Sequence, residues 1–278
     1  MSEADRPLLP SKAQLHVRWG QLYGSATSLW LAEAARKASG PLLVIAPDAR
    51  QASRMEDELR FFCAPGSYIE HFPAWETLPY DLFSPHPDIV SQRLRMLSTL
   101  PRLAKGIVVV DLETALQRLP PQTYIDAHAF DLSVGEVLDV GAFRDRLSGA
   151  GYVASSQVMA PGEFAVRGSI IDLYPMGSPA PYRIDLFDDE VESIRMFDPE
   201  TQRSGERAQA LRLLPAREFP LSRRHPEFQA AFPQSFSGRP DAHGDLSRHR
   251  RRGAATGHRV LPAVVLRRDR DPVRLPAG

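Results

Sequence analysis

Two consecutive prolines, Pro120 and Pro121, divide this 278-residue chain into stretches whose hydrophobic rhythms call for different sheets. Before them, short all-apolar runs alternate with segments of helical period. Pro41 to Ala46 and Gly106 to Val110 lack polar alternation and read as strands buried on both faces. Leu15 to Trp19 is a short apolar alternation, and a helix pattern through Leu29, Leu31, Ala32 and Ala35 follows until Gly40 stops it. Asp48 is placed to cap a helix carrying Met55, Leu59 and Phe62 on one side. Tyr68 to Phe72 reads as a strand, and Ile89 to Ala104 and Asp111 to Leu119 as helices. This β-α-β-α order predicts a parallel sheet covered by helices on both faces. After the prolines the period becomes two. Phe164 to Val166, Ser169 to Tyr174, Tyr182 to Phe187, Val191 to Phe197 and Ala210 to Leu214 alternate between turn signals at Pro161-Gly162, Met176 to Pro179, Asp188-Asp189 and Asp198-Pro199. Apart from one helix near Gly141 to Ala150, this half predicts an α+β module with a mainly antiparallel sheet.

Composition narrows the class. At 43% hydrophobic and 24% charged residues, wholesale disorder is excluded. The longest apolar runs fall far short of the roughly 20 residues of a bilayer crossing. The start, MSEADRPLLPSK, carries no secretory h-region, so a cytoplasmic protein is expected. Its one cysteine, Cys63, can form neither an internal disulfide nor a cysteine-cluster zinc site. The net charge of zero conceals an asymmetry: residues 221–278 hold twelve Arg, no Lys and five acids, a surplus of seven positive charges. A basic tail on an acidic body has the form of a nucleic-acid-binding arm.

Three constellations could carry chemistry. Gly20, Gly24 and Ser25 form a glycine turn at a helix start, the setting in which nucleotide phosphates are cradled. A working phosphate loop also needs a lysine followed by Ser or Thr, and no Lys lies between Lys12 and Lys37. Asp111 and Glu113 stand where a magnesium carboxylate would sit, although Asp111 reads more simply as a helix cap. The sequence therefore suggests a nucleotide-binding architecture without nucleotide chemistry. The acidic cluster Asp185, Asp188, Asp189 and Glu190 lacks EF-hand spacing or a histidine partner, reads as a solvated hairpin turn, and no metal is expected there. The eight histidines include no HExxH pair, and no catalytic centre is evident. Third, alternation sends Phe164 and Val166 to one face and Arg167 to the other, with Gly168 permitting a bend. Arg183, Asp185 and Phe187 likewise share a face opposite Ile184 and Leu186. Two arginines and a phenylalanine on an exposed face have the composition of a protein-binding hot spot; ordinary charged surface is the alternative.

The stretches EFAVRGSIIDLYPMGSPAPYRIDLFDDEVESIRMFDPETQRS, HFPAWETLPYDLFSPHPDIVSQRLRML and LRLLPAREFP resemble the N-terminal region of the bacterial transcription-repair coupling factors (Mfd). The resemblance runs from about Gln14 to Pro220. It implies an α/β fold: a degenerate P-loop helicase-like parallel-sheet domain at 14–121 with an inserted, mainly antiparallel α+β UvrA-binding domain at 122–220, after a disordered start at 1–13. The pattern RG…IDLYP…YRIDLF is also similar to the UvrA-binding domain of UvrB, but UvrB keeps the phosphate-loop lysine that is missing here. By this resemblance the partner is UvrA, contacted through Arg167, Arg183 and Phe187. ATP, Mg²⁺, DNA and RNA polymerase belong to motor and polymerase-binding domains that the family carries further along, so no cofactor and no catalysis are expected of this chain. Two rival readings remain: a UvrB-type ATP-dependent helicase fragment, and an unrelated small α/β enzyme that holds a phosphate at the Gly24-Ser25 helix start.

Residues 221–278 depart from the family and look like GC-rich DNA read out of frame. Shifting permitted codons for His258 to Leu266 by one nucleotide gives Thr-Glu-Tyr-Tyr-Leu-Pro-Leu-Phe-Phe, similar to a family segment. A frameshift near Ser222 is therefore expected, with a disordered tail whose charge carries no message about DNA.

Overall fold

The apolar runs before the double proline form a parallel sheet. The protein is represented by a computed structural model that describes residues 7, 9–10, 16–77 and 84–219, with the backbone of 263–265. Strands β1 (Leu42–Ala46), β2 (Ile69–His71) and β3 (Ile107–Asp111) run parallel with β3 in the centre, and Leu42 to Ala46 pair in register with Ile107 to Asp111. Every residue of β3 is buried, as a strand covered on both faces requires. Helix α1 (Ala26–Lys37) and helix α2 (Ala49–Phe62) pack one face of the sheet, Leu31, Ala52, Met55 and Leu59 meeting Val44, Ile107 and Val109. The Asp48 carboxylate accepts the Gln51 amide at 2.8 Å and so starts α2.

Three expectations fail in this region. Residues 16–20 are not a strand; Trp19 instead turns edge-on to Trp30 of α1, with ring centroids 5.8 Å apart. The partly buried indole packs against the helix. The helix expected to Leu119 is one turn, α4 (Leu112–Ala115); its start is held by the Asp111 carboxylate, which accepts the Thr114 amide at 2.9 Å. Leu116 and Leu119 beyond it are exposed and give a longer helix no core to face. Third, the expected disordered tail contains β12 (Ala263–Val265), parallel to β1 with Val264 opposite Val44. The outer edge of β1 offers unpaired backbone groups, and a short apolar, β-branched stretch satisfies them. The rest of that expected tail, like the expected disorder at 1–13 apart from residues 7 and 9–10, lies outside the described residues.

After the prolines comes the second sheet with its helices. Helix α3 (Pro87–Thr99) precedes β3; α5 (Gln122–His128) and β4 (Phe130–Ser133) follow the prolines, a helix and a strand that the alternation did not announce. Asp139 caps α6 (Val140–Gly149) by accepting the Ala142 amide at 2.9 Å. The six-stranded sheet comprises β5 (Val153–Ala154), β6 (Glu163–Arg167), β7 (Ile170–Leu173), β8 (Tyr182–Phe187), β9 (Glu190–Phe197) and β10 (Ser204–Ala208) in sequential order, antiparallel except for β5 beside β6. Strand β11 (Ala210–Leu213) leaves that sheet to pair with β4. Gly168, with φ of 59°, makes the tight β6–β7 turn that its sequence position suggested.

One core runs from the parallel sheet through α3 to the inner face of the second sheet, joining Phe72, Leu94 and Val108 to Phe164, Ile171, Ile184 and Val191. A buried ion pair ties the same regions together. Arg93 of α3 is fully buried; its Nε meets Glu218 Oε1 at 2.5 Å and its Nη2 meets Oε2 at 3.1 Å. Nη1 donates to the Pro73 carbonyl, the guanidinium lies 4.4 Å from the Phe72 ring centroid, and Trp75 Nε1 donates to Glu218 at 2.9 Å. Every polar atom of the pair is occupied, the condition under which a buried charge pair is tolerated.

Candidate partner-binding face

The second sheet keeps one face for the core and turns the other outward. On β6, Phe164 and Val166 pack inward while Arg167 points away; on β8, Ile184 and Leu186 pack inward while Arg183, Asp185 and Phe187 point away. Arg167, Arg183 and Phe187 therefore do occupy one face. Phe187 is 71% exposed and closes the β8–β9 hairpin opposite Glu190, with Asp188 at φ 53° in the two-residue turn. The acidic cluster is thus a hairpin end, as its composition suggested. Among the described residues no three His, Cys, Asp or Glu side chains converge on a point that could hold a metal.

The two arginines are not equivalent, and neither is simply free. Asp172 of β7, a residue the sequence reading passed over, lies directly opposite Arg183 on the same outer face and is fully buried. Arg183 donates to it through Nε at 2.7 Å and Nη2 at 3.0 Å, and spends Nη1 on the Gln202 carbonyl at 3.2 Å. Its guanidinium also stacks 4.9 Å from the Phe197 ring centroid, leaving 19% of the side chain exposed. The bidentate hydrogen bond to Asp172 holds Arg183 above its usual range against the opposing effect of desolvation, and the charges of Asp172 and Asp185 add to that. Arg167 places one nitrogen on Asp172 Oδ2 and remains 52% exposed. The expectation of two guanidinium groups both open for a partner's carboxylates is corrected: the protein's own carboxylate already takes Arg183, and Arg167 and Phe187 are the open contacts. A two-residue turn at Gly168-Ser169 pairs Arg167 with Ile170, and alternation from Ile170 then puts Asp172 on the arginine face. Val137 could not have been read this way. It bridges Glu190 from a segment without strand pattern and adds a second exposed apolar side chain beside the hairpin.

The glycine turn forms no comparable site. Gly20 lies in coil, Gly24 takes φ 59°, and Ser25 begins α1 without using its side chain as a cap. Gly20, Gly24 and Ser25, read from the sequence as an inactive, degenerate nucleotide loop and more simply as a plain capped turn, form a turn into α1 that follows coil at residues 16–20, without the side-chain cap.

The sheet has one face in the core and an outer face carrying clamped arginine and bare phenylalanine, and residues 130–219, which contain it, match the family described as the UvrB interaction domain. The wider chain is 44% identical over 223 residues to the transcription-repair-coupling factor of Escherichia coli K12, covering 80% of this chain and 19% of that protein. It is 39% identical over 232 residues to the factor of Haemophilus influenzae, with 83% and 20% covered, and 34% identical over 197 residues to that of Bacillus subtilis, with 71% and 17% covered. The chain is thus related to the transcription-repair-coupling factors over most of its own length, and it spans about a fifth of theirs.

Proposed function

We propose that this chain is the N-terminal, UvrA-recruiting module of a transcription-repair coupling factor, acting in the cytoplasm to bring excision repair to stalled RNA polymerase. The parallel sheet is then a helicase-type domain that has lost its phosphate loop, and ATP-driven translocation on DNA falls to parts of the relatives that this chain does not span. The observation that carries the reading is Phe187, bare at the hairpin end within the UvrB interaction domain, beside guanidinium groups ordered by Asp172. A hydrophobic anchor next to a rigid cation is how few residues come to dominate an interface. Arg167 and Phe187 contact UvrA directly, while Arg183 contributes its remaining exposed edge and braces Asp172.

Titration of the chain against purified UvrA tests this. Phe187→Ala is expected to weaken binding by about thirtyfold, near 2 kcal/mol, and Arg167→Ala by less. Equal affinity for wild type and both variants would remove the assignment. A UvrB-type reading predicts saturable ATP binding by the same chain, and no such binding is expected. A change of reading frame near Ser222 remains part of the proposal; the gene's nucleotide sequence tests it.

A further inference from the structure

Register places five side chains in one line across the outer face: Ala165 on β6, Asp172 on β7, Arg183 on β8, Arg195 on β9 and Arg207 on β10. Directly paired residues project to the same side of an antiparallel sheet, about 5 Å from strand to strand. Three arginines thus stand next to one another with a single carboxylate at one end of the line, and Asp172 is already shared by Arg183 and Arg167. Like charges directly opposite each other destabilise a sheet. The next outer carboxylate on β8, Asp185, accepts the Ser193 hydroxyl at 2.7 Å. No ion pair among the described residues reaches Arg195 or Arg207, and the Arg195 Nε is buried without any hydrogen-bond acceptor. A row of like charges with one shared carboxylate is a standing cost in the isolated chain, and carboxylates brought from outside would relieve it.

We propose that Arg195 and Arg207 continue the docking face beyond the Arg167–Arg183–Phe187 group and receive carboxylates from an acidic surface segment of the protein partner. The idea rests on the docking reading above and enlarges it. Phe187 supplies the apolar anchor near one end of β8–β9, and the arginine row, farther along the same strands, supplies orientation and attraction. Carboxylates rather than phosphates fit best because the row is short and sits beside an aromatic anchor, with Glu190, Glu192 and Glu206 exposed on the strands that bear it. Those acids would repel a continuous polyanion while leaving room for single carboxylates.

The test uses the 278-residue chain, purified UvrA, and the variants Arg195→Gln, Arg195→Lys and Arg207→Gln. Arg195→Gln is expected to weaken UvrA binding about tenfold and Arg207→Gln about threefold, with affinity less dependent on salt in both. Arg195→Lys, which keeps the charge but loses the planar fork that pairs a carboxylate bidentately, should fall between wild type and Arg195→Gln. Because removing Arg195 relieves like-charge repulsion, the Tm of Arg195→Gln should be unchanged or higher. Unchanged UvrA affinity in Arg195→Gln overturns the proposal, and so does a loss matched by a falling Tm, which would make Arg195 structural. If wild type does not bind UvrA, the docking reading itself fails. The row is then judged on polyglutamate, where binding by wild type but not by Arg195→Gln supports an acid-receiving surface and no binding rejects it. Tighter binding of duplex DNA than of polyglutamate, abolished by Arg195→Gln, would give the row to nucleic acid and overturn the proposal.

Discussion

The parallel sheet and the six-stranded sheet solve the problem of covering a strand in opposite ways. In β3 every side chain is buried, so the strand has no outward residues to vary. In β8 burial alternates, with Ile184 fully buried and Phe187 bare three residues later. A sheet covered on both faces can hold a fold together but cannot meet a partner across its surface. A sheet with one covered face can do both, because the side chains that stabilise it and the side chains that recognise a partner come from alternate positions of the same strand. Among the described residues the glycine turn of the first region follows coil, while the second region holds a cation cluster with its own buried carboxylate.

The joint between the two regions should give the largest effect. Arg93→Ala removes the only cation that the Glu218 carboxylate meets at its buried site among the described contacts, and it also strips the ring faces of Phe72 and Trp75. Leaving one member of a buried pair uncompensated costs about 3–5 kcal/mol. Urea unfolding of Arg93→Ala should show that loss, with UvrA affinity preserved in whatever fraction stays folded. A loss near zero would mean that the two regions hold together without the ion pair.

Next in size is a paired substitution on β8 that separates its two faces. Ile184→Ala empties a fully buried site between β7 and β9, a change that typically costs about 2–5 kcal/mol. Phe187→Ala, on the same strand, should change stability by no more than about 0.5 kcal/mol, since an exposed side chain has little packing to lose. Thermal unfolding measures the first effect and UvrA titration reads the complementary one, with Ile184→Ala sparing affinity and Phe187→Ala sparing Tm. If the two variants were alike in both measurements, the division of labour within the strand would be wrong.

How much of this was legible beforehand follows the same division. The span Tyr182–Phe187 and the outward turn of Arg167, Arg183 and Phe187 were readable, because alternation is a local property of the chain. Asp172 was missed because its face is set by the two-residue turn that pairs Arg167 with Ile170, and its burial by which strands bring arginines beside it; pairing is not local. Arg195 and Arg207 were invisible as a row for the same reason: their positions in sequence say nothing of a shared register. Helix α5 was hidden by the prolines, which mark a boundary yet also suit a helix start, with Pro121 standing at its N-cap. Strand β12 was missed because composition argued against order, while an open edge on β1 had room for any apolar stretch.

The smallest expected effect compares one tyrosine from each region at high pH. Tyr152, which leads into β5, is buried; its hydroxyl donates to the Leu214 carbonyl at 2.8 Å and accepts the Met176 amide at 3.2 Å. Burial raises its pKa well above the 10.0 of a free tyrosine, although the Met176 amide pulls the other way. Tyr68, just before β2, is pushed up to about 12, chiefly by burial and then by the Glu70 charge and hydrogen bond, with Arg95 opposing. Both groups keep their protons in the folded protein at a pH where the unfolded chain has released them. Their contribution to stability is therefore complete below pH 10 and declines as pH rises above it, through about 12 for Tyr68 and further for Tyr152. For buried Tyr152 the slope approaches about 1.4 kcal/mol per pH unit. Tyr152→Phe should cost about 1 kcal/mol at neutral pH through the lost hydrogen bonds and flatten the alkaline fall, whereas Tyr68→Phe should flatten it less. Chemical denaturation at a series of pH values above 9 measures both slopes. An alkaline limb unchanged by Tyr152→Phe would mean that this hydroxyl titrates in the fold as it does in water, and that the second region is less tightly closed around Tyr152 than its packing shows.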